Sequence, residues 1–144
     1  MDSRTYRVIT NNPLVAATWP GSVEWVSGSV KDVFRCVRDY VHAGHVLLTH
    51  PLSGSVKPNE SPYKSVIITD YPASAMVDLD SLRIIEGAMV VLHNLGAPRF
   101  THIPPRVDDD YQLIDCDLMA SAIESLHDAA WNGPVEGCKT EAFQ

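Results

Sequence analysis

The sequence predicts an α/β protein in which helices cover both faces of a small, mostly parallel sheet of about four strands. Two observations lead to this fold class. Residues 45–49 (HVLLT) and 65–69 (SVIIT) are short, continuous apolar runs, which are typical of strands that are buried on both faces. Between such runs, apolar residues recur with the period of an amphipathic helix. Together these patterns predict a three-layer arrangement of helix, sheet and helix.

The first elements alternate between strand and helix. Residues 6–12 (YRVITNN) contain a β-branched run that ends at Asn-Asn-Pro, a turn signal. Residues 14–19 are predicted to form a short helix, which Pro-Gly at 20–21 ends. Residues 23–26 (VEWV) are predicted to form a second short strand.

A longer helix is predicted over residues 29–43. Ser29 is placed as its N-cap, with Asp32 three residues later in a capping-box position, and Gly44 as the residue that ends it. One apolar stripe runs along it. Its members are Val30, Val33, Phe34, Val37 and Val41.

The second half of the chain predicts two more helices. One spans Leu79–Leu95 and ends at Gly96. The other spans residues 111–131 with Ile114, Leu118, Ala122, Ile123, Leu126 and Ala130 on one face. Residues 97–110 are rich in Pro and charge and are predicted to be a loop. The resulting order favours a minimal Rossmann-like or flavodoxin-like sheet and leaves the direction of strand 65–69 relative to strand 45–49 open.

Composition limits the class of protein. A chain of 144 residues with 45% hydrophobic and 20% charged residues predicts one globular domain, placed at 1–131 with an irregular extension at 132–144. The net charge of −7 argues against nucleic acid or an anionic membrane as partner. No signal peptide or membrane span is recognised. The odd number of widely spaced cysteines favours a reducing, cytoplasmic setting, with Cys36 and Cys116 as small core residues.

A ligand site is predicted at the carboxyl ends of the strands, where open α/β sheets bind their ligands. The loop that follows the strand at 45–49 is unusually long, about 15 residues, and long ordered loops are often functional. It carries hydroxyls, a glycine and a lysine, which together suit an anion. The predicted ligand-binding residues are Asn11, Asn12, Thr49, His50, Ser53, Gly54, Ser55 and Lys57.

Metal binding and catalysis are two further hypotheses for the same part of the chain, around residues 42–57. His42, His45 and His50 are close in sequence, but a helix end and a strand separate them, so no metal site is predicted. A closed Pro/Ser/Gly loop is the structural alternative to a ligand site. No GxSxG elbow is present, so no Ser/His/Asp triad is predicted, and the loop does not match the GxxxxGK[ST] phosphate-binding pattern. No cofactor is predicted. His50 is the candidate acid/base, with Lys57 as an anion clamp.

The residues quoted so far also carry a family resemblance. Residues 10–13 (TNNP) and 37–69 (VRDYVHAGHVLLTHPLSGSVKPNESPYKSVIIT) resemble the small GrdX-type proteins. These are encoded alongside the glycine, sarcosine and betaine reductase components of anaerobic amino-acid-fermenting bacteria. The resemblance covers roughly two thirds of the chain. It implies an accessory role and a bacterial cytoplasm, and it supplies no catalytic or binding residues.

Three functions follow as hypotheses. The first is a non-catalytic accessory protein of amino-acid reductase systems that binds a reductase component or a small anionic metabolite through Asn11, Asn12 and residues 49–64. The second is a small-metabolite enzyme that uses His50 and Lys57. The third is a structural homodimer that associates through apolar surface around Trp19, Trp25 and Trp131.

Overall fold

A computed structural model describes residues 6–54, 56–73 and 75–128. The predicted extension at 132–144 lies outside these residues. The described part contains three strands and four helices. In chain order they are β1 (Tyr6–Thr10), α1 (Pro13–Thr18), β2 (Val23–Trp25), α2 (Val30–His42), β3 (Ser65–Thr69), α3 (Leu79–Leu95) and α4 (Pro105–Asp128). None of the described helices is both long and apolar enough to cross a membrane.

The sheet is small, open and mixed, with the order β2-β1-β3. β1 is parallel to β2, with Val8 opposite Val23, and antiparallel to β3, with Val8 opposite Ile67. The α/β class is confirmed, but the mostly parallel sheet of about four strands is not. The reason lies in residues 50–64, which form no helix and so supply no helical crossover of the kind that usually joins parallel strands. The chain therefore turns back and β3 runs in the opposite direction.

The predicted strand at 45–49 is not a regular strand. It lies along the free edge of β3, where Leu47 forms a single antiparallel bridge with Ile68. The backbone N–H of Leu48 donates to the carbonyl of Ile67 at 2.8 Å. This pairing answers the question of direction that the sequence leaves open, because the two segments are antiparallel.

Side-chain hydroxyls replace part of the missing strand ladder. The N–H of Val46 donates to Oγ1 of Thr69 at 3.1 Å, and the N–H of Leu47 donates to Oγ of Ser81 at 3.0 Å. On the facing strand, the N–H of Ile67 donates to Oγ1 of Thr49 at 2.9 Å. These hydrogen bonds satisfy backbone N–H groups of residues 46, 47 and 67 without the regular register of a sheet. For this reason the apolar run at 45–49 packs at the sheet edge without forming a regular strand.

Helices cover both faces of the sheet, as the three-layer prediction requires. Because side chains alternate along a strand, Ile9 and Ile68 face α2 and α3, while Val8 and Ile67 face α1 and α4. The predicted stripe of α2 is confirmed in full, since all five of its apolar residues are buried. Its N-cap is confirmed too, by a complete capping box between Ser29 and Asp32. Gly44 follows α2 with a φ of 106°, a conformation that favours glycine.

The last helix differs from its prediction in two respects. α4 begins at Pro105, so the predicted loop at 97–110 is wrong for its last six residues. Proline is well tolerated at the start of a helix, and the acidic residues 108–110 lie near the positive end of its dipole. The buried face is also shifted, because Met119 and Cys116 are buried whereas Ile114 is half exposed.

Candidate functional site

The carboxyl end of β1 and the start of β3 meet at one edge of the sheet, and Asn11 connects them. Its Nδ2 donates to the carbonyls of Gly28 at 2.9 Å and Pro62 at 2.8 Å, and its Oδ1 accepts from the N–H of Lys64 at 2.9 Å. The residue is 5% exposed. Its amide therefore holds the loop against the sheet and positions Lys64.

Asn12 connects the same edge to α4. Its Oδ1 caps α1 by accepting from the N–H of Leu14 at 3.0 Å. Its Nδ2 donates to the carbonyl of Gln112 and to the carboxylate of Asp115, both at 3.0 Å. Both predicted asparagines thus lie at the predicted edge, and the hydrogen bonds of their amides are made within the protein.

A buried polar cluster, formed by Thr10, Asn12, Ser65 and Asp115, lies beneath this edge. Ser65 Oγ donates to Asp115 Oδ2 at 2.6 Å and lies 2.7 Å from Thr10 Oγ1. Asp115 is 7% exposed. Hydrogen bonds of this kind compensate for the cost of burying a carboxyl group, so the cluster holds the Asp115 side chain in a fixed position inside the domain.

Lys64 places a positive charge beside this carboxylate. Its Nζ donates to the carbonyl of Ser53 at 2.7 Å, and the residue is only 6% exposed. Burial lowers the pKa of the Lys64 ammonium, and the charge of Asp115 partly opposes that shift. A lysine is rarely buried to this extent unless a charge or a ligand compensates for it.

A cavity of about 260 Å³ opens between this loop and α4, and we call it the polar cavity. Lys64 and Asp115 form part of its wall, together with Lys57 and the exposed Asp117. Two aromatic rings and several small or apolar residues complete it. They are Tyr63, Tyr111, Ser53, Gly54, Val56, Pro58, Ser61, Ile114, Leu118 and Ser121.

Tyr63 fastens the loop to α4. Its hydroxyl donates to Asp108 Oδ1 at 2.7 Å, while Gln112 Nε2 donates to Asp108 Oδ2 at 2.8 Å. Burial and the bond to Asp108 raise the pKa of Tyr63 to about 12, so the phenol stays protonated. The far wall of the polar cavity is therefore held in place by hydrogen bonds as well as by packing.

His50 lies near Lys64 and does not line the polar cavity. Its Nδ1 accepts from the N–H of Leu52 at 3.1 Å, so that nitrogen carries no proton. Burial lowers the pKa of the imidazole, and the charge of Lys64 lowers it further. The enzyme hypothesis requires His50 and Lys57 to lie in the wall of one cavity. In the structure, Lys57 lines the polar cavity and His50 does not.

His50 is expected to titrate below 6.5, its ordinary pKa, when followed by NMR of the imidazole Cε1 proton. Since the folded pKa is depressed, this group contributes stability that is complete above pH 6.5 and declines as the pH falls toward the folded pKa. Lys64→Met is expected to raise the pKa toward the ordinary value. The exposed Lys31→Met serves as the control, and a wild-type pKa at or above 6.5 would contradict the prediction.

The remaining predicted site residues are distributed along the loop. Gly54 lines the polar cavity with a φ of 108°, and a Cβ there would lie 3.3 Å from Leu118 Cδ2. Lys57 is exposed, and its backbone N–H donates to Glu60 Oε1 at 3.2 Å. The hydroxyl of Thr49 is used in the contact with β3. Ser55 lies outside the described residues.

The other histidines occupy separate environments. His42 is exposed in the last turn of α2, whereas His45 is buried and its Nδ1 donates to the carbonyl of Thr69 at 2.7 Å. Across residues 6–54, 56–73 and 75–128, no three His, Cys, Asp or Glu side chains form a potential metal site. Burial raises the pKa of Cys36 to about 11, so this thiol is a poor nucleophile.

Tyr63 and Lys64 lie within the predicted binding loop 49–64, although neither was named among the ligand-binding residues, and Asp115 and Tyr111 were not predicted at the site. The sequence held one further signal. Lys64 directly precedes β3, a strand that is buried throughout, so the aliphatic part of its side chain is expected to pack against the core. Asp115 lies between apolar residues of α4, but only the shifted face of that helix shows that it is buried.

The fold and the cavity define a small α/β domain with an open mixed sheet and a charged cavity at the carboxyl end of its first strand. The GrdX-like protein family model matches residues 7–124, well over half of the 144 residues. The chain therefore belongs to the GrdX-like protein family. Searches among curated proteins and among solved structures find no significant match.

Proposed function

We propose that the protein is an accessory component of glycine, sarcosine and betaine reductase systems and that it binds a small anionic metabolite in the polar cavity. The family membership supports the setting. Lys64 supports the binding, and it is the observation that carries the proposal. Its ammonium is nearly buried and lines a cavity that is open to solvent.

The donors of Lys64 favour an anion as the ligand. An ammonium has three N–H donors, and among the described residues only the carbonyl of Ser53 accepts from Nζ. Two donors therefore remain for a carboxylate or phosphate oxygen. Binding an anion also offsets the desolvation that lowers the pKa of this lysine.

The size and charges of the polar cavity narrow the ligand further. At about 260 Å³ it is smaller than the cavities that hold drug-sized molecules. Its wall contains two basic residues, Lys57 and Lys64, and two acidic residues, Asp115 and Asp117. A small carboxylate that also carries an amino or quaternary ammonium group satisfies both signs of charge, and Tyr63 and Tyr111 add aromatic faces that attract a cation.

Isothermal titration calorimetry with acetate, glycine, betaine, phosphate and acetyl phosphate tests this proposal. At least one of these ligands is expected to bind, and Lys64→Met is expected to weaken it about tenfold or more, because a charge-assisted hydrogen bond is lost. Lys31→Met removes an exposed lysine elsewhere and is expected to leave binding unchanged. Failure of all five ligands to bind, or equal binding by Lys64→Met, would refute the metabolite site.

The accessory role is tested separately, by capture of purified reductase components on the immobilised protein. We expect one component to be retained and the retention to depend on the surface formed by residues 49–64. A charge reversal at exposed Lys57 is the informative variant, with Arg83→Glu on the exposed side of α3 as its control. Capture of no component would refute the association without affecting the metabolite site.

The other two hypotheses stay predictions. No observation favours the enzyme, because His50 lies outside the polar cavity wall and its Nδ1 accepts a backbone hydrogen bond. For the homodimer, Trp25 is 49% exposed, whereas Trp19 packs against the core cluster beneath α1 and α4. Trp131 lies outside the described residues.

A further inference from the structure

Lys64 is buried without a carboxylate in direct contact with its amine. In the described part of the chain, the ion pairs are those of Arg7, Arg35 and Arg83. Nζ of Lys64 has one protein partner there, the carbonyl of Ser53 at 2.7 Å. A buried ammonium without a direct ion pair is costly, whereas the neutral amine does not carry that cost. Burial therefore favours the neutral form of Lys64 and lowers its pKa.

The amine of Lys64 lies at the wall of the polar cavity. Ser53, which accepts from Nζ, and Asp115, whose charge acts on Lys64, border the same cavity. A neutral amine has two N–H donors and one lone pair. One N–H keeps the bond to Ser53, which leaves the lone pair for a group in the cavity. A lysine amine that is desolvated in this way is a nucleophile toward carbonyl carbon.

Two other groups in the wall of the polar cavity are available to carry protons. Both side-chain hydrogen bonds of Asp115 are made by Oδ2, so Oδ1 has no partner among the described residues. The hydroxyl of Tyr111 likewise makes no hydrogen bond within residues 6–54, 56–73 and 75–128. Addition of an amine to a carbonyl group and the later loss of water both require proton transfers, which a nearby carboxyl or phenol group assists.

We propose that Lys64 captures the carbonyl group of a small 2-oxo acid in the polar cavity as a reversible iminium. The amine nitrogen forms a bond to the carbonyl carbon, and the carbonyl oxygen takes up two protons and leaves as water. Ammonium and carbonyl thus become iminium and water, with no change in net charge and no oxidant or reductant. The iminium nitrogen keeps one N–H, which is enough for the bond to Ser53.

This inference rests on the proposed function, because it concerns the same anionic metabolite and names its class. The polar cavity of about 260 Å³ suits a small molecule. A 2-oxo acid brings a carboxylate, which Lys57 in the same wall attracts. The iminium supplies the positive charge that an amino acid would carry itself. A 2-oxo acid therefore also satisfies the acidic and basic residues of the wall.

Reductive trapping with glyoxylate and sodium cyanoborohydride, followed by peptide mass mapping, tests the proposal. The hydride donor converts an iminium into a stable secondary amine at the lysine that formed it. Lys64 is expected to be labelled about tenfold faster or more than the exposed Lys31, because the reactive species is the neutral amine, which burial favours at Lys64. Labelling of Lys64 that is no faster than that of Lys31 would overturn the proposal.

Glycolaldehyde tests whether the carboxylate of the ligand is recognised, since it is similar in size to glyoxylate but uncharged. The measured quantity is the ratio of the labelling rate of Lys64 to that of Lys31. This ratio is expected to be about threefold higher or more with glyoxylate, because only glyoxylate gains the attraction of Lys57. Equal ratios for the two aldehydes would exclude a 2-oxo acid as the ligand class.

Lys64→Arg separates the iminium from the proposed function. Arginine keeps a positive charge but forms no iminium, so labelling at position 64 is expected to disappear while the anion found by calorimetry still binds, in a protein shown to be folded by its melting curve. Lys31→Met is expected to leave the labelling of Lys64 unchanged. If an anion binds to the wild-type protein but Lys64 is not labelled, the iminium is refuted and the metabolite site stands. If neither occurs, both proposals fail.

Discussion

Asp115→Ala is expected to lower the free energy of unfolding by about 3 to 5 kcal/mol. The carboxylate accepts from Ser65 and Asn12 and stabilises the charge of Lys64. Its removal takes an acceptor from two buried donors and leaves the Lys64 ammonium without its nearby opposite charge. Urea denaturation followed by far-UV circular dichroism measures the loss.

Asp117→Ala is the matched control for this variant. Asp117 lies two residues away on the same helix and also borders the polar cavity, but its side chain is exposed. We expect a change within about 0.5 kcal/mol, as for most surface substitutions. If both variants shift the denaturation midpoint equally, the buried polar cluster contributes nothing particular to stability.

Leu47→Ala is expected to cost about 2 to 5 kcal/mol, the range for truncation of a buried leucine. Leu47 is fully buried and packs in the core cluster between the sheet, α2 and α3. A regular strand is not required for this effect, because the lost packing and the remaining cavity determine the cost. Equilibrium urea unfolding reports it.

The control for Leu47 is Leu113→Ala on α4, where the side chain is 51% exposed. The same atoms are removed, but little buried area is lost, so a change below about 1 kcal/mol is expected. A cost for Leu47→Ala as small as that for Leu113→Ala would show that residues 46–49 are only loosely attached to the sheet edge.

The position of Asn11 and Asn12 at the end of β1 could be read from the sequence, but the residues that line the cavity beside them could not. Asn11 and Asn12 follow β1 and lie at the predicted edge, because a strand end is readable from its turn signal. Their amides are used by the fold, which a sequence does not reveal. Lys64 and Asp115 are 51 positions apart in the chain, and only packing of α4 against the sheet brings them to one cavity wall.

Local patterns by themselves determined several elements of this protein. The capping box at Ser29, the apolar stripe of α2 and the runs at Tyr6–Thr10 and Ser65–Thr69 each depend on residues that are near neighbours, so short-range physics is sufficient. The resemblance in residues 10–13 and 37–69 also indicated the family that the match over residues 7–124 shows.

The tertiary structure alone decided the direction of β3, the irregular form of residues 46–49 and the charges of the cavity. Each depends on groups that are distant in sequence. For example, the backbone N–H of Leu47 donates to Ser81 Oγ, and the N–H of Leu48 donates to the carbonyl of Ile67. The conformation of such a segment follows from which partners satisfy its buried polar groups. That choice is made by the packed chain, and no local pattern encodes it.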